Sequence, residues 1–198
     1  MDFATFLAFA VFVIVMTGTP GPGNLTFLAI GASAGYRTAF PVILASQVGY
    51  MPLALSVAYG LGTVMAGGGP AVTLFKVLSM TYMAYLAWRI ILLTVKPKGE
   101  VALPSFWEGV LIHPLSPKTW AMNLVAFSTF LAGNGLALHQ NALILMAGFS
   151  LGGLVFHSLW ALAGVSILKM IGEGPLMRMI TVTMAIAMLV ATLWALLI

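Results

Sequence analysis

The sequence carries very little charge. Only 6% of its 198 residues are Asp, Glu, Lys or Arg, whereas 62% are hydrophobic and the mean hydropathy is +1.11. So few charged side chains cannot cover the surface of a soluble core, which excludes the soluble classes of protein. A membrane span needs about 20 apolar residues, and hydrophilic stretches between the apolar runs are nearly absent. The composition predicts an all-α integral membrane protein, with residues 1–198 forming a single transmembrane domain.

Cysteine is absent, and so are the residue patterns of most sites that carry chemistry. Without cysteine there is neither a disulfide nor a thiolate metal site. The three histidines and four acids show no metal-ligand spacing, so neither a metal nor another cofactor is predicted. No Ser/His/acid arrangement, paired carboxylate or phosphate-binding loop can be assembled, which argues against an enzyme. No basic patch is interleaved with aromatics, which argues against binding to nucleic acid.

The apolar runs predict about six transmembrane helices. The first run has no basic start and no A-x-A-like end, so it is interpreted as a retained span and not as a cleaved signal. The predicted spans cover about 3–34, 40–64, 72–95, 119–131, 142–168 and 179–198. The polar connection 96–113, which includes a short interfacial helix over 105–112, separates a first repeat, about 3–95, from a second, about 114–198.

Basic residues are distributed unevenly over the connections. With six spans, odd and even connections lie on opposite sides of the membrane. One side has Lys76 alone, and the other has Arg37, Arg89, Lys96, Lys98, Lys118, Lys169 and Arg178. The positive-inside rule makes the second side cytoplasmic and predicts that both termini are extracytoplasmic.

Two prolines, two glycines and an amide interrupt the first apolar run, at Pro20, Gly21, Pro22, Gly23 and Asn24. Each proline removes a backbone donor and clashes with the preceding turn, so the helix should break there. A broken helix at membrane depth is tolerated only where it is buried in protein or lines a wet cavity. Unwound segments bind substrates in carriers, so this stretch is the first candidate for a substrate site. The alternative is a tight bend that lets helices pack closely through glycine.

A second proline-containing break, within 114–117, precedes the predicted fourth span and suggests an internal repeat. Asn24 pairs with Asn123 and Gly49 with Gly148, because both pairs are 99 residues apart (123 − 24 and 148 − 49). Three spans in each half would make the second copy inverted relative to the first, which is the plan of many carriers. The alternative is chance recurrence of Gly and Asn in membrane helices.

The motifs resemble those of the LysE/RhtB family of amino-acid exporters. The resemblance rests on Thr19–Asn24, Leu78–Leu86, Trp88-Arg89, Phe106–Gly109 and Ser116–Trp120, in the family's order and over nearly the whole chain. It implies a bacterial inner-membrane protein of about six hydrophobic segments. Members export amino acids such as lysine, arginine, homoserine or threonine, driven by the proton gradient.

Three positions depart from the family pattern. Gly23 is inserted in the usual Pro-Gly-Pro-Asn, and Ser116 replaces the asparagine of the usual Asn-Pro-Lys. Tyr50 stands where many members have an acidic residue. The tyrosine removes the obvious protonatable group from the spans. Backbone groups and the amides of Asn24 and Asn123 must then carry most of the substrate recognition.

Three polar residues near the breaks each have a functional and a structural interpretation. Asn24 could bind a substrate carboxylate or ammonium group, or it could cap the helix that resumes at Leu25. Asn123 has the same two interpretations. Lys118 is either a headgroup anchor at the cytoplasmic end or a fixed positive charge that recruits a carboxylate.

Gln47 and Tyr82 are predicted to complete the pocket. Gln47 lies in the middle of a span, beyond the reach of interfacial belts, whereas membrane tyrosines more often belong to such belts or to packing. His157 is the one side chain in the middle of a span that titrates near neutral pH, which makes it a candidate proton relay. Its alternative role is an interhelical hydrogen bond to a hydroxyl, with Ser56, Thr63 and Ser158 as candidates. The other two histidines, His113 and His139, lie in connections and are predicted to be solvated.

The sequence therefore predicts a six-helix carrier, with its first and fourth helices interrupted by proline or glycine and its two three-helix halves inverted. It would export a neutral or aliphatic amino acid, such as homoserine or threonine, by alternating access from a site between the two breaks. Few charges line the site, and a basic substrate would require an acid within the spans. The alternatives are an exporter of metal ions or other small solutes, and a membrane scaffold that transports nothing. Expected partners are the amino acid, the lipid bilayer and, through glycine-bearing helix faces, a second copy of the chain.

Overall fold

The computed structural model describes residues 1–62, 67–95, 104–172 and 174–197, and these residues form helices and their connections without a strand. The main helices are α1 (Phe3–Gly18), α2 (Pro22–Ala34), α3 (Tyr36–Ala58), α4 (Pro70–Val95), α5 (Phe106–Leu111), α6 (Pro117–Ala126), α7 (Leu138–Ile171) and α8 (Pro175–Leu197). A π-helical segment, Phe127–Leu131, continues α6. The predicted all-α class is confirmed.

The helix boundaries follow from local chemistry. The Asp2 carboxylate accepts a hydrogen bond from the Thr5 N–H at 2.9 Å and caps the start of α1. Pro22 and Pro117 are the first residues of α2 and α6, where a missing N–H costs nothing and the fixed φ suits a helix. Gly35 has a φ of 82°, a conformation that side-chain-bearing residues rarely adopt, and it separates α2 from α3.

Fewer helices of the described structure qualify individually as membrane spans than the six that the sequence predicts. Helices α3, α4, α7 and α8 are each long and apolar enough to cross a membrane. Helices α1 and α2 qualify only together, as a pair bent by 51° at the predicted break. The predicted fourth span corresponds to α6 and its π-helical continuation, which are 10 and 5 residues long and fall short of the roughly 20 that a span needs. The described residues therefore contain four to five candidate spans and not six.

Several sequence predictions fall on residues that lie outside the described part of the chain. These are the end of the second span at 63–64, the first part of the central connection at 96–103 and the last residue of the sixth span, 198. The short helix expected over 105–112 is α5, and the fifth predicted span extends further at both ends, as α7.

Helix α2 is the most buried helix of the described structure, because every residue from Pro22 to Ala32 is buried. It packs against α7 at backbone distance. A Cβ on Gly31 would lie 2.0 Å from the Ala161 carbonyl oxygen, and a Cβ on Gly164 would lie 2.0 Å from the Leu28 carbonyl oxygen. Small residues permit such an approach in membrane proteins, so this contact explains the glycines structurally.

The short helix α5 is fastened to α4 through Glu108. The Tyr82 hydroxyl donates to the Glu108 carbonyl, and the Tyr85 hydroxyl donates to the Glu108 carboxylate. Arg89 Nε lies 3.3 Å from Glu108 Oε1. Ser105 and Glu108 also form a capping box at the start of α5. These contacts fix α5 and thereby the chain that follows it into the second break.

Candidate functional site

The starts of α2 and α6 border a common cavity of about 40 Å³, whose other walls come mainly from α3 and α7. From the first break, Gly21, Pro22, Gly23 and Asn24 line it. Its other polar lining residues are Thr17, Gln47, Tyr50, His113, Ser116, Lys118, Thr119 and His157. The two breaks identified in the sequence therefore meet at one place in the fold.

Both helix starts border this region through residues of their first turns. Gly21 caps α2 without a side-chain hydrogen bond. Ser116 caps α6, where its side chain accepts from the Thr119 N–H at 3.3 Å. First-turn N–H groups have no partner in their own helix and carry a partial positive charge. Two such helix ends at one cavity make its wall attractive to an anion such as a carboxylate.

Asn24 joins the two halves of the broken helix. Its Nδ2 donates to the Thr17 carbonyl at 2.9 Å and to the Thr19 carbonyl at 2.8 Å, at the end of α1. These bonds fix the orientation of the amide, because only its nitrogen can donate. Its Oδ1 is buried and has no hydrogen-bond partner in the described structure. The predicted cap at Leu25 is wrong, since α2 begins at Pro22 and the amide closes the end of α1 instead.

Gln47 reaches the same cavity from α3. Its Nε2 lies 3.4 Å from His157 Nδ1 on α7. A Cβ on Gly153 would lie 2.9 Å from that Nε2, so glycine makes room for the amide. Gln47 Oε1 is buried and, like Asn24 Oδ1, has no partner among the described residues. Two residues of the lining therefore hold a buried acceptor that no donor among the described residues satisfies.

Tyr50 lies where the family resemblance leads one to expect an acid, and it lines the cavity. Its hydroxyl donates to Asn123 Oδ1 at 2.8 Å, and Asn123 Nδ2 donates to the Thr119 carbonyl at 2.8 Å. Asn123 itself does not line the cavity, so its contribution is to hold Tyr50 against α6. The general expectation that membrane tyrosines belong to belts or packing gave Tyr50 no role at the site.

Two histidines stack inside the protein. The rings of His113 and His157 have centroids 5.1 Å apart and planes 22° apart, and their residues are 7% and 5% exposed. The prediction that His113 is solvated is wrong, because the chain between α5 and α6 turns inward. His139 is exposed, as predicted. The second break is the signal that could have found His113, since this residue directly precedes Pro114 as Thr19 precedes Pro20.

Two of the three hydroxyl groups predicted as partners of His157 have other hydrogen-bond partners. The Ser158 hydroxyl accepts from the Tyr36 hydroxyl at 3.1 Å, and the Ser56 hydroxyl donates to the Leu53 carbonyl at 2.8 Å. Thr63, the third candidate, lies outside the described residues. The polar neighbour of His157 on another helix is the Gln47 amide.

Lys118 connects the second break to the first. Its Nζ donates to the Thr19 carbonyl at 3.0 Å, the Thr19 hydroxyl at 2.9 Å and the Pro20 carbonyl at 3.2 Å. Its side chain also covers Gly21, where a Cβ would lie 3.0 Å from Lys118 Cδ. These contacts place a positive charge at the cavity wall and favour the interpretation of Lys118 as a fixed charge over that of a headgroup anchor.

Two further predicted site residues, Pro20 and Tyr82, do not line the cavity. Pro20 belongs to the break and contributes its carbonyl to Lys118. The Tyr82 hydroxyl is used in fastening α5. Among the described residues that line the cavity there is no Asp or Glu, and the described part of the chain has no group of three metal-ligating side chains.

Comparison with known proteins agrees with this architecture. A protein family described as LysE type translocator matches residues 12–197. The cysteine/O-acetylserine efflux proteins of Escherichia coli (strain K12) and Shigella sonnei (strain Ss046) are each 30% identical over 161 residues, which cover 79% of this chain and 80% of the relative. No solved structure is significantly similar. The resemblance seen in the motifs is thus confirmed, and the chain belongs to the LysE family of membrane translocators.

Proposed function

We propose that this protein exports a small zwitterionic amino acid with an uncharged side chain across the bacterial inner membrane. One observation carries the proposal: a single cavity joins two helix starts and a lysine to two buried carbonyl oxygens that lack donors. A zwitterionic amino acid has a carboxylate, which suits the helix starts and the lysine, and an ammonium group, which suits the two buried oxygens. The two charged groups of the substrate therefore match the two groups of lining residues.

The carboxylate would bind at the starts of α2 and α6. Backbone N–H groups of Gly23 and Asn24 belong to the first turn of α2, and Lys118 supplies a full positive charge beside them. Lys118 is held by carbonyl groups of the first break in this conformation. A substrate carboxylate would compete with those carbonyls for its three N–H donors, and a charge-assisted hydrogen bond is the stronger of the two.

The ammonium group would bind at Asn24 Oδ1 and Gln47 Oε1. Both oxygens are buried acceptors, and a buried acceptor without a donor costs about 1 to 3 kcal/mol, which an ammonium group would relieve. Neutral amide oxygens can bind a cationic donor without introducing a charge of their own. The absence of carboxylates from the described lining supports a substrate whose side chain is uncharged.

The substrate side chain would face the apolar part of the lining, which includes Met16, Met122 and Phe149. The two relatives described above are named for cysteine and O-acetylserine, which are small and uncharged. We propose that the substrate of this chain is of the same size, and threonine and homoserine are candidates that the sequence also suggests. Lysine and arginine are disfavoured because the described cavity offers no acid to a second cation.

Binding requires the cavity to widen. A volume of about 40 Å³ holds about three water molecules at 10 to 15 Å³ each, which is less than an amino acid needs. The break between α1 and α2 is bent by 51° and lies at the cavity, so movement there would change the opening. Alternating access through this break is the conformational change we propose.

Packing of the glycines supports the proposed inverted repeat. A Cβ on Gly49 of α3 would lie 1.8 Å from the Val110 carbonyl oxygen on α5, in the connection between the two repeats. A Cβ on its predicted counterpart, Gly148 of α7, would lie 2.9 Å from the Phe9 ring on α1. Both members of this predicted pair therefore lie at close contacts between helices.

The six crossings and the orientation remain part of the proposal. Six crossings result if each broken element, α1 with α2 and α5 with α6, is counted once. Lys118 contacts the first break, so it no longer counts as a loop charge, yet the basic residues still favour one side. Both termini would then be extracytoplasmic. Cysteines introduced singly at Phe3, which is exposed at the start of α1, and at Arg37 would test this, since only the first should react with an impermeant maleimide in intact cells.

The transport function is testable with purified protein in liposomes. Vesicles loaded with unlabelled amino acid would be mixed with a trace of the labelled form, and exchange would be compared with protein-free vesicles. We expect exchange of threonine, homoserine, cysteine or O-acetylserine and not of lysine. Exchange of lysine at the same rate would refute the proposed substrate class. Transport of divalent metal ions alone, or of nothing in the panel, would favour the metal exporter or the scaffold.

A further inference from the structure

The stacked histidines and the Gln47 amide together have the geometry of a switch operated by one proton. We propose that His113 and His157 form a single proton-binding site, and that its proton and the substrate ammonium group exclude each other through Gln47. This inference rests on the proposed function, which it extends by naming the residues that bind the proton and the way in which they exclude the substrate.

The pair of histidines holds at most one proton. The rings are stacked with centroids 5.1 Å apart, and both residues are buried. Two positive imidazolium rings at this distance repel each other, so the second proton is strongly disfavoured and the rings titrate as one unit. The ring of Phe27 covers His157 at a centroid distance of 4.7 Å, which keeps water from that side.

The other titratable groups of the described lining do not neutralise this proton. They are Tyr50, which donates its hydroxyl proton to Asn123, and Lys118, which is itself positive. On α2, α3, α6 and α7 alike, the described lining contains no carboxylate. A proton on the pair and an ammonium group in the cavity would therefore face each other without a counter-ion between them.

Gln47 links the protonation of His157 to substrate binding, because its amide can present either its oxygen or its NH₂ group to the cavity. When His157 Nδ1 carries no proton, it accepts from Gln47 Nε2, and Gln47 Oε1 is left to accept from an ammonium group. When His157 Nδ1 carries the proton, it becomes a donor, and the Gln47 amide must turn over to offer Oε1 to it. The amide then presents its NH₂ group to the cavity, and this group cannot accept from an ammonium group.

Exchange of proton for amino acid follows from this alternation. The ammonium group enters when the proton leaves the pair for water, and the proton returns after the amino acid has left. One proton entering the cell would thus be coupled to one amino acid leaving it. The coupling needs no acid in the spans, which explains how Tyr50 can occupy the position where many family members have one.

The shared proton can be tested without substrate. In ¹⁵N-histidine NMR of the whole protein, we expect His113 and His157 to take up one proton in total, and we expect His113→Gln to shift the titration of His157. His139→Gln is the matched control, because His139 is exposed and distant in sequence from both breaks. Independent uptake of two protons, or of none between about pH 5 and 8, would overturn the proposal.

The exclusion is tested in the liposome assay. For wild type with the membrane potential clamped at zero, a gradient of one pH unit should accumulate the exchanged amino acid up to about tenfold, since one pH unit is 1.36 kcal/mol. His157→Gln removes the ring that contacts Gln47, so we expect it to lose the accumulation at whatever rate it exchanges the amino acid. His113→Gln should shift the pH dependence of accumulation, as it shifts the titration of His157, whereas His139→Gln should match wild type. Tenfold accumulation by His157→Gln, or an unchanged pH dependence in His113→Gln, would overturn the coupling.

A binding measurement on wild type guards against variants that fail to fold. Saturating amino acid added to weakly buffered protein should release up to one proton per molecule bound. Binding or exchange without proton release at every pH tested would overturn the exclusion. If wild type neither binds nor exchanges any amino acid, the proposed function fails and the exclusion fails with it, while the titration of the pair is decided separately by NMR.

Discussion

Replacement of Asn24 by alanine separates its two tasks. The change removes two hydrogen bonds to the end of α1, at Thr17 and Thr19, and removes the Oδ1 acceptor from the cavity. Each lost neutral hydrogen bond costs about 0.5 to 1.5 kcal/mol of stability, so the free energy of unfolding should fall by about 1 to 3 kcal/mol. The loss of a hydrogen bond to a charged group costs about 1.5 to 3 kcal/mol, and we expect about 10- to 100-fold weaker substrate binding.

The assay measures both quantities on the same preparation. Tracer exchange in liposomes gives the apparent affinity, and thermal unfolding in detergent gives the stability. Thr26→Val is the matched control, because the Thr26 hydroxyl donates to the Pro22 carbonyl inside α2 at 2.8 Å and does not line the cavity. It should lower stability by about 1 kcal/mol and leave the affinity unchanged.

The result that refutes the reasoning is an Asn24→Ala protein that is destabilised but binds amino acid within about twofold of wild type, which would be far below the fold-change expected for a charged hydrogen bond. Asn24 would then be a connector of the broken helix alone. We also expect Asn24→Ala to weaken transport more than any single tyrosine change. Tyr50→Phe is the comparison that matters, since Tyr50 is the tyrosine that lines the cavity.

Gly164→Ala should destabilise the protein by about 1 to 3 kcal/mol or more, because its Cβ would lie 2.0 Å from a carbonyl oxygen of α2. Gly174→Ala, where a Cβ has no neighbour within 4 Å, should not, and equal melting temperatures would contradict the packing argument. Lys118→Gln should raise the substrate concentration for half-maximal exchange about tenfold, whereas exposed Lys169→Gln should not change it. Tyr82→Phe should leave substrate affinity unchanged and lower stability, and a loss of affinity would return Tyr82 to the site.

The sequence predicts those features that depend on local chemistry. The break at Pro20–Asn24 is one of them, because proline lacks the N–H that a continuous helix would need. The long spans α3, α4, α7 and α8 are another, because their apolar runs are long enough to be counted directly. The family motifs were also readable in sequence, since each is a contiguous string of residues.

The features that the sequence does not predict depend on which segments meet. His113 lies in a polar connection, and the packing of α5 against α3, together with its hydrogen bonds to α4, directs that connection inward. The 99-residue spacing pairs Asn24 with Asn123, yet the two residues have different positions. Asn24 lines the cavity, whereas Asn123 lies outside the lining and accepts a hydrogen bond from the Tyr50 hydroxyl. The apolar run at 119–131 predicts a fourth span. The structure has a short helix there that ends in a π-helical segment, a local geometry that the composition does not encode.

The substitution of tyrosine for an acid at position 50 alters the electrostatics of the whole cavity. A carboxylate there would balance the positive helix starts and Lys118, and it would let a proton and an ammonium group be bound together. With Tyr50 tied to Asn123, the described lining has positive and neutral groups only. In the proposed mechanism the proton and the ammonium group therefore bind one at a time. The histidine pair binds the proton, and the amide oxygens of Asn24 and Gln47 bind the ammonium group. Competition between proton and substrate is thus a consequence of the missing negative charge.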